Sequence, residues 1–529
     1  MRRATGPARP GPPEPAPAPA PSADGDHDPP VTVDLRLALP ALGAWPAALA
    51  VVRLAPGTAA VAAGGCVLVA VIGATIAASA RSRHRGRASA ARARPGAAVA
   101  LAFLAVAAIL GAGAAQTHAR SLGLLPRLVA AQSTGVLTGR VVGEPAVLPP
   151  AWPGAPPRAR CTLAVDGAAA HGRVSGAVGQ VLVLGPPAVA TVPYGARVRV
   201  VGRLQPGQPG GRVVAVLLTS ADPEIVSDPA RWDSVATSVR REVVHLADRF
   251  PGDARALLPG LTVGDTSGVP VDLVADMKVA GLTHVTAVSG AHFSLVAVLV
   301  LTLATAARLP RGPRVVLVVA AMAAMVVLVH PSPSVVRAAA MGLVAAAGLL
   351  LGRPHRAPPA LCAAVVVLLV TDPWLAGELG FLLSVLATGG LVLLGGPLAQ
   401  RWSGRLGRGP AQALALPVAA QLVCAPAILL ATPTVAVYAI PANLLVAPAV
   451  APATVLGLAA GCLAPVCPWA AHALALPAGA ACWWVGAVAR LAAAAPGAQL
   501  AWQQGTLGVV LLAVAGACTA RLLVARRRG

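Results

Sequence analysis

Charge is scarce in this chain, and acidic charge is scarcest. Only 11% of the 529 residues are charged against 57% hydrophobic, and the mean hydropathy is +0.74. Soluble domains carry about 25% charged residues, so a soluble globule of this length is excluded. Lysine is almost missing, Lys278 being the only one, and 41 basic against 19 acidic residues leave a net +22 carried by arginine. Arginine in place of lysine, amid much Ala, Val, Gly and Pro, is what a GC-rich coding sequence produces, so the excess alone does not argue for nucleic acid. Seventeen acids lie at or before Asp276, and the 253 residues that follow hold only Asp372 and Glu378. None of the eight cysteines belongs to a CxxC pair, and all but Cys161 lie in or beside apolar runs, so they read as packing residues.

What is present is a series of long apolar runs. After residue 284 they fall at roughly 284–308, 315–330, 334–352, 358–371, 377–398, 411–431, 434–462, 469–494 and 503–523. Between them stand Arg308, Arg311 and Arg314, then Arg353 and Arg356, then Arg401, Arg405 and Arg408, and finally Arg521 with Arg526 to Arg528. Runs of about 20 residues alternating with arginine clusters follow the positive-inside rule. The chain reads as a polytopic α-helical membrane protein, with Arg490 as the one arginine near an outer helix end.

Residues 1–36 are Pro/Ala-rich with no apolar period and predict a disordered cytoplasmic tail rather than a signal peptide. Apolar stretches within 37–117 predict N-terminal transmembrane helices, and the arginine-rich loop at 81–94 places that turn in the cytoplasm. The segment 118–225 then lies outside. It contains five short Val-rich runs broken by Gly and Pro, TGVLTGRVVG, CTLAVDG, GQVLVLG, GARVRVVGRL and GRVVAVLLT. These predict an inserted small extracytoplasmic β-barrel, of oligonucleotide-binding (OB) type or another small β-fold. Residues 226–256 predict an amphipathic helix and linker, with Trp232, Val235, Val239, Val243, Leu246 and Phe250 along one side, covering the β-domain or lying in the membrane interface. Residues 257–525 form the main transmembrane domain.

Several motifs carry polar groups into this apolar setting. GLTVGDTSGVP at 260–270, with Asp265 and Thr266, has regularly spaced glycines, but no Gly-Lys-Ser/Thr follows, so it predicts a turn before a helix at 271–280 and no nucleotide motor. AGLTHVTAVSGAHFSLV at 280–296 crowds His284, Ser289, Gly290 and His292 into the start of a membrane helix. Unsatisfied polar groups are costly in hydrocarbon, so these face protein or a wet cavity. His284 and His292 fall on one face if the segment is helical throughout. Ser289 with His292 could form a nucleophile and base, a reading that ranks below a pore lining or a helix break. SPSVVRAAAMG at 332–342 places Ser334 as an N-cap and Arg337 just inside. TDPWLAGELGFLLSVLATGG at 371–390 holds both late acids, puts Trp374 at interface level, and has Gly380 and Ser384 for close helix packing. Asp372 reads as a helix N-cap before Pro373, with an ion pair of Asp372 or Glu378 to Arg337 as the sharper alternative. Asn443 and the prolines of ANLLVAPAVAP at 442–452 predict a broken or re-entrant helix. No metal, cofactor or catalytic residue is expected.

Taken in order, LLPGLTVGDTSG at 257–268, GLTHVTAVSGAHFSLV, SPSVVRAAAM, DPWLAGELGFLLSVLATGGL and NLLVAPAVAP resemble the ComEC-type competence family across about 250 residues. The resemblance implies a membrane channel that takes single-stranded DNA into the cytoplasm during natural transformation, sited in a bacterial cell membrane with the β-domain outside and the C-terminus cytoplasmic. It also implies a surface DNA receptor, a cytoplasmic ATP-driven helicase or translocase, the lipid bilayer as surroundings, and room for an oligomer. Many members continue into a metallo-β-lactamase-like nuclease with a His-x-His-x-Asp-His signature. That signature is missing here, so a separate nuclease is expected to degrade the second strand. Asp265, Thr266, His284, Ser289, Gly290, His292, Arg337 and Asn443 are the pore or DNA-path candidates, and Asp372, Glu378, Gly380 and Ser384 the structural ones. A membrane-embedded enzyme or small-solute transporter on the same helices is the competing reading.

Overall fold

The computed structural model describes residues 37–83, 87–150, 152–286, 288–330, 333–350 and 357–525. The tail 1–36, Arg353, Arg356, Arg526 to Arg528, and the side chains of Ser334 and the stretch 81–94 lie outside the described residues. Three helices come first, α1 (Ala38–Val51), α2 (Pro56–Arg83) and α3 (Arg87–Ser121), with α2 and α3 packed as a hairpin. A short α4 (Leu125–Ala130) leads into β1 (Thr134–Val141), β2 (Ala146–Leu148), β3 (Arg158–Ala170), β4 (Arg173–Gly185), β5 (Arg197–Pro206), β6 (Val213–Leu218) and β7 (Glu224–Ser227).

Period-two alternation decides which side of each strand is buried. In β5, Val198, Val200, Gly202 and Leu204 face the core, while Arg197, Arg199, Val201 and Arg203 face out. The β3–β4 hairpin turns at His171 and Gly172, both with positive φ (49° and 74°), as the tightest hairpin turns require. Strand pairing runs β1-β3-β4-β6-β5, and β5 returns to pair with β1, so the pairings close on themselves. All are antiparallel except β4 with β6. The enclosed core includes Leu137, Leu163, Val181, Val183, Leu204 and Leu217, and α4 adds Leu125, Leu128 and Val129. Cys161 belongs to this core, and burial pushes its thiol up to about 12.

The expected helix at 226–250 is α5 (Arg231–Ala247), shortened because residues 224–227 pair as β7. Its buried face is Asp233, Ala236, Arg240, Val243, Leu246 and Ala247, whereas Trp232 and Val235 are 62% and 64% exposed. The helix is rotated away from the simple apolar stripe because Asp233 and Arg240 are fixed by ion pairs. It packs on α6 (Gly252–Val263), α9 (Arg311–Val329) and α15 (Ala439–Leu463) rather than over the β-core.

The remaining helices are α7 (Val271–Val279), α8 (Gly290–Ala306), α10 (Pro333–Leu350), α11 (Ala357–Thr371), α12 (Leu379–Gly390), α13 (Gly396–Leu406), α14 (Arg408–Ile428), α16 (Pro468–Ala494) and α17 (Gly505–Val524). The chain passes from α12 to α13 through a π turn, Leu391–Gly395, giving one apolar span of 28 residues. A two-stranded ribbon, β8 (Thr434–Ala436) with β9 (Gln499–Ala501), ties the start of α15 to the end of α16. Eight helices among the described residues are long and apolar enough to cross a membrane, six of them after residue 300. α6, α7, α15 and α16 share one apolar core, with the small residues of α15 and α16 receiving bulky ones: Gly461 faces Val243, Gly479 faces Phe250 and Gly457 faces Thr262. Close approach through small residues is the packing mode of membrane helices. α15 corrects the expectation of a broken helix at Asn443. It is continuous for 25 residues with Pro448 and Pro452 inside it, since each proline removes only one backbone hydrogen bond and the packed neighbours hold the rest of the helix.

Candidate functional site

Two sets of polar contacts fasten the β-domain to one end of the bundle. In the first, Arg212, just before β6, reaches across to the connection between α11 and α12. Its Nη1 lies 2.5 Å from Asp372 Oδ2, its Nε 3.0 Å and its Nη2 2.9 Å from Glu378 Oε1. Asp372 stands in the N-cap position of a 3-10 turn, before Pro373, but its carboxylate makes no capping hydrogen bond and is engaged by the guanidinium instead. The alternative pairing with Arg337 survives only as a 4.0 Å approach of Nη1 to Glu378 Oε2.

Arg337, on α10, is buried, and its Nε has no partner among the described residues. Phe381 stands beneath its guanidinium at 5.9 Å from the ring centroid. Gly380 lies alongside it, a Cβ there standing 3.4 Å from Nη2, in van der Waals contact. Trp374 is buried within the protein, with the Arg120 guanidinium 3.5 Å above its ring. Trp45 of α1 donates to the Ala376 carbonyl at 3.2 Å and stacks on Phe381. Ser384 lies further along α12, its carbonyl accepting from Thr388 Oγ1, and the close helix contact falls at Gly390, where a Cβ would stand 3.1 Å from the Ala419 carbonyl of α14.

In the second set, Glu144, after β1, accepts from Arg240 Nη2 at 2.7 Å and contacts His330 Nδ1 at 2.6 Å. Arg240 also donates to the carbonyls of Val263 (2.5 Å) and Leu328 (3.3 Å), closing the ends of α6 and α9. Tyr194 stacks on His330 with centroids 3.7 Å apart, and burial, reinforced by Asp233, pushes its phenol up to about 12. Arg140 pairs with the buried Asp233 of α5 and donates from Nε to the carbonyl of Gly195.

The loop from α6 to α8 carries most of the sequence candidates. α6 ends in a left-handed glycine cap at Gly264 (φ 75°). Asp265 Oδ1 then accepts from Ser267 N and Oγ at 3.0 and 2.6 Å, and Thr266 is exposed at the turn. Asp265 and Ser267 border a cleft of about 350 Å³ with Asp248, Arg255 and Pro270. The segment 280–296 is not one helix. A 3-10 turn at Thr283–Val285 precedes α8, so His284 and His292 do not share a helical face. His284 is exposed, and the Asn443 side chain on α15 donates from Nδ2 to the Ala439 carbonyl at 2.8 Å. Ser289 and His292 form a capping box at the start of α8, His292 Nδ1 accepting from the Ser289 backbone N–H at 3.0 Å. A serine nucleophile needs its base oriented by a third group; His292 Nε2 has no partner among the described residues.

Backbone packing holds this loop in place. A Cβ at Gly260 would stand 2.4 Å from the Thr286 carbonyl, and one at Gly281 2.7 Å from Ala439 Cβ. A Cβ at Gly290 would stand 3.9 Å from Ala338 Cβ of α10, so the start of α8 packs on the helix that carries Arg337. The structure therefore places His284, Ser289, Gly290 and His292 on one loop that packs on α15, which carries Asn443, and on α10, which carries Arg337; the backbone of Asp265 lies beside the same loop at Thr286, while its side chain borders the cleft.

Sequence reasoning missed Arg212, Glu144, Tyr194, Arg240 and His330. Arg240 left a signal, an arginine at helical spacing with the buried Ala236, Val243 and Ala247; the others left none. Arg490, the exception to the arginine pattern, is explained by three carboxylates, with Nε and Nη2 on Asp253 at 2.6 and 2.7 Å and Nη1 near Asp272 and Asp276 at 3.0 and 3.2 Å.

The competence protein family matches residues 261–527, half of the chain, including the loop, Arg337 and both late acids. The chain belongs to this family. Among curated relatives, the ComE operon protein 3 of Bacillus subtilis (strain 168) is 27% identical over 223 residues. The matched stretch covers 42% of this chain and 28% of that relative's length. No solved structure matches the chain.

Proposed function

We propose that this competence-family protein is a cell-membrane channel through which single-stranded DNA enters the cytoplasm during natural transformation. The observation that carries the reading is the family match over residues 261–527, which spans the bundle and the loop at 280–296. The β-domain, roughly 118–225, is then an extracytoplasmic OB-type barrel. Its support is the closed cycle of five strands with the single parallel β4–β6 pairing, and a 3-10 turn, Pro187–Thr191, between β4 and β5. The bundle 257–525 provides the path, residues 37–117 the N-terminal membrane helices, and 226–256 the link. The arginine-bearing turns at 308–314 and 401–408 lie at the helix ends opposite those that meet the β-domain, which supports a cytoplasmic side there.

His284, Ser289, Gly290, His292, Arg337 and Asn443 are proposed to line or gate the path, with Asp265 and Thr266 at its mouth. A backbone carrying one negative charge per nucleotide favours a route poor in acids and supplied with guanidinium groups. Strand capture, strand degradation and inward pulling are assigned to a surface DNA receptor, a nuclease and an ATP-driven translocase acting with this chain. Uptake of labelled DNA by a transformable host, with the gene deleted and then restored, tests the reading. Deletion should abolish uptake and transformation, and Arg337→Ala should reduce both without loss of membrane insertion. A deletion strain that transforms at the parental rate overturns it.

A further inference from the structure

Three guanidinium groups and two carboxylates meet where the β-domain joins the bundle. Arg212 engages both acids, Arg120 stacks on Trp374 within reach of Asp372, and Arg337 stands 4.0 Å from Glu378. Charge-assisted hydrogen bonds close to about 2.7–2.9 Å, so Arg212 has the pair and Arg337 does not. The Arg337 side chain is nevertheless 7% exposed with Nε unpartnered. A buried donor left unmade is costly, and the planar fork of a guanidinium is matched by a phosphodiester.

We infer that Arg212 is a positioning residue: by taking Glu378 and Asp372 it docks the β-domain and keeps Glu378 off Arg337, leaving Arg337 as a receptor for one phosphate of the entering strand. The inference rests on the DNA-uptake reading and adds to it which residue binds and which one keeps it available. Glu378 is the shared element. Its Oε1 is held by Arg212, and its Oε2 faces Arg337. Without Arg212 the carboxylate is free to close on Arg337 and neutralise it; without the Glu378 charge, Arg337 is fully available while Asp372 still holds Arg212.

The two substitutions therefore move affinity in opposite directions. The full chain, purified in detergent, is titrated with fluorescent oligo-dT at fixed salt. E378Q should tighten binding and R212Q should weaken it, each by about tenfold, the scale of one charged hydrogen bond. R212K, which keeps the charge but not the fork, should fall between wild type and R212Q. R337Q should weaken binding and cancel the gain when combined with E378Q. Hydrogen exchange in segments 207–213 and 372–378 should rise in R212Q, reporting loss of this one of the two contacts that hold the β-domain. Shifts of the same sign for E378Q and R212Q, or unchanged exchange in R212Q, overturn the inference while leaving the channel reading intact. Failure of the wild-type chain to bind oligo-dT overturns both.

Discussion

Glu144 holds two partners, the Arg240 guanidinium of α5 and the His330 ring at the end of α9. Burial alone would raise its carboxyl, but the hydrogen bond with His330 and the charge of Arg240 outweigh burial and hold it below the ordinary value. A carboxyl depressed in the folded state contributes stability above its ordinary range and loses it as the pH falls through the folded value. Acidification below the ordinary carboxylate range should thus loosen the β-domain from α5 and α9. E144Q should be less stable than wild type near neutrality but flatter against acid, as read by thermal unfolding over a pH series. None of this was legible in the sequence, because Glu144 meets Arg240 and His330 across 96 and 186 residues and no local pattern records such a partner. Ser289 and His292 were legible as a pair, but their spacing is also that of a capping box, with His in the place usually held by Glu or Gln.

At the scale of elements, the apolar runs and the Val-rich alternation gave the helices and strands directly, since both periods are local. Continuity was harder to read. An apolar run with Pro448 and Pro452 fits either a break or a continuous helix, and the choice depends on neighbours: α15 is held by α16 along its length and by α6 and α5 at glycines. Those glycines give a test with an internal control. A Cβ at Gly457 would lie 2.2 Å from Cγ2 of the fully buried Thr262, which cannot retreat. Gly457→Ala should lower the unfolding midpoint in detergent by an amount equivalent to about 1–3 kcal/mol. Gly404, in α13, has nothing within 4 Å of its Cβ position, and Gly404→Ala should leave stability unchanged or raise it by up to about 1 kcal/mol.

For the whole molecule, the arginine that dominates the charged residues has two structural uses. Arginines at one set of helix ends mark a side of the membrane, while Arg140, Arg212, Arg240 and Arg490 are internal ties, each with a carboxylate partner. In a background with the native cysteines replaced, Arg173→Cys on the β3–β4 turn should react with an impermeant maleimide in intact cells. Arg405→Cys should react only after permeabilisation. Reaction of both in intact cells would refute the proposed orientation. The tie at Arg212 also sets an order of events in biosynthesis. Its partners Asp372 and Glu378 follow it by 160 and 166 residues. At ribosomal rates of about 5–20 residues per second, roughly 8 to 30 s pass between synthesis of Arg212 and of the acids that receive it. The core of the β-domain, drawn from its own strands and α4, asks nothing of the later helices during that interval, so only the Arg212 tie has to wait for them.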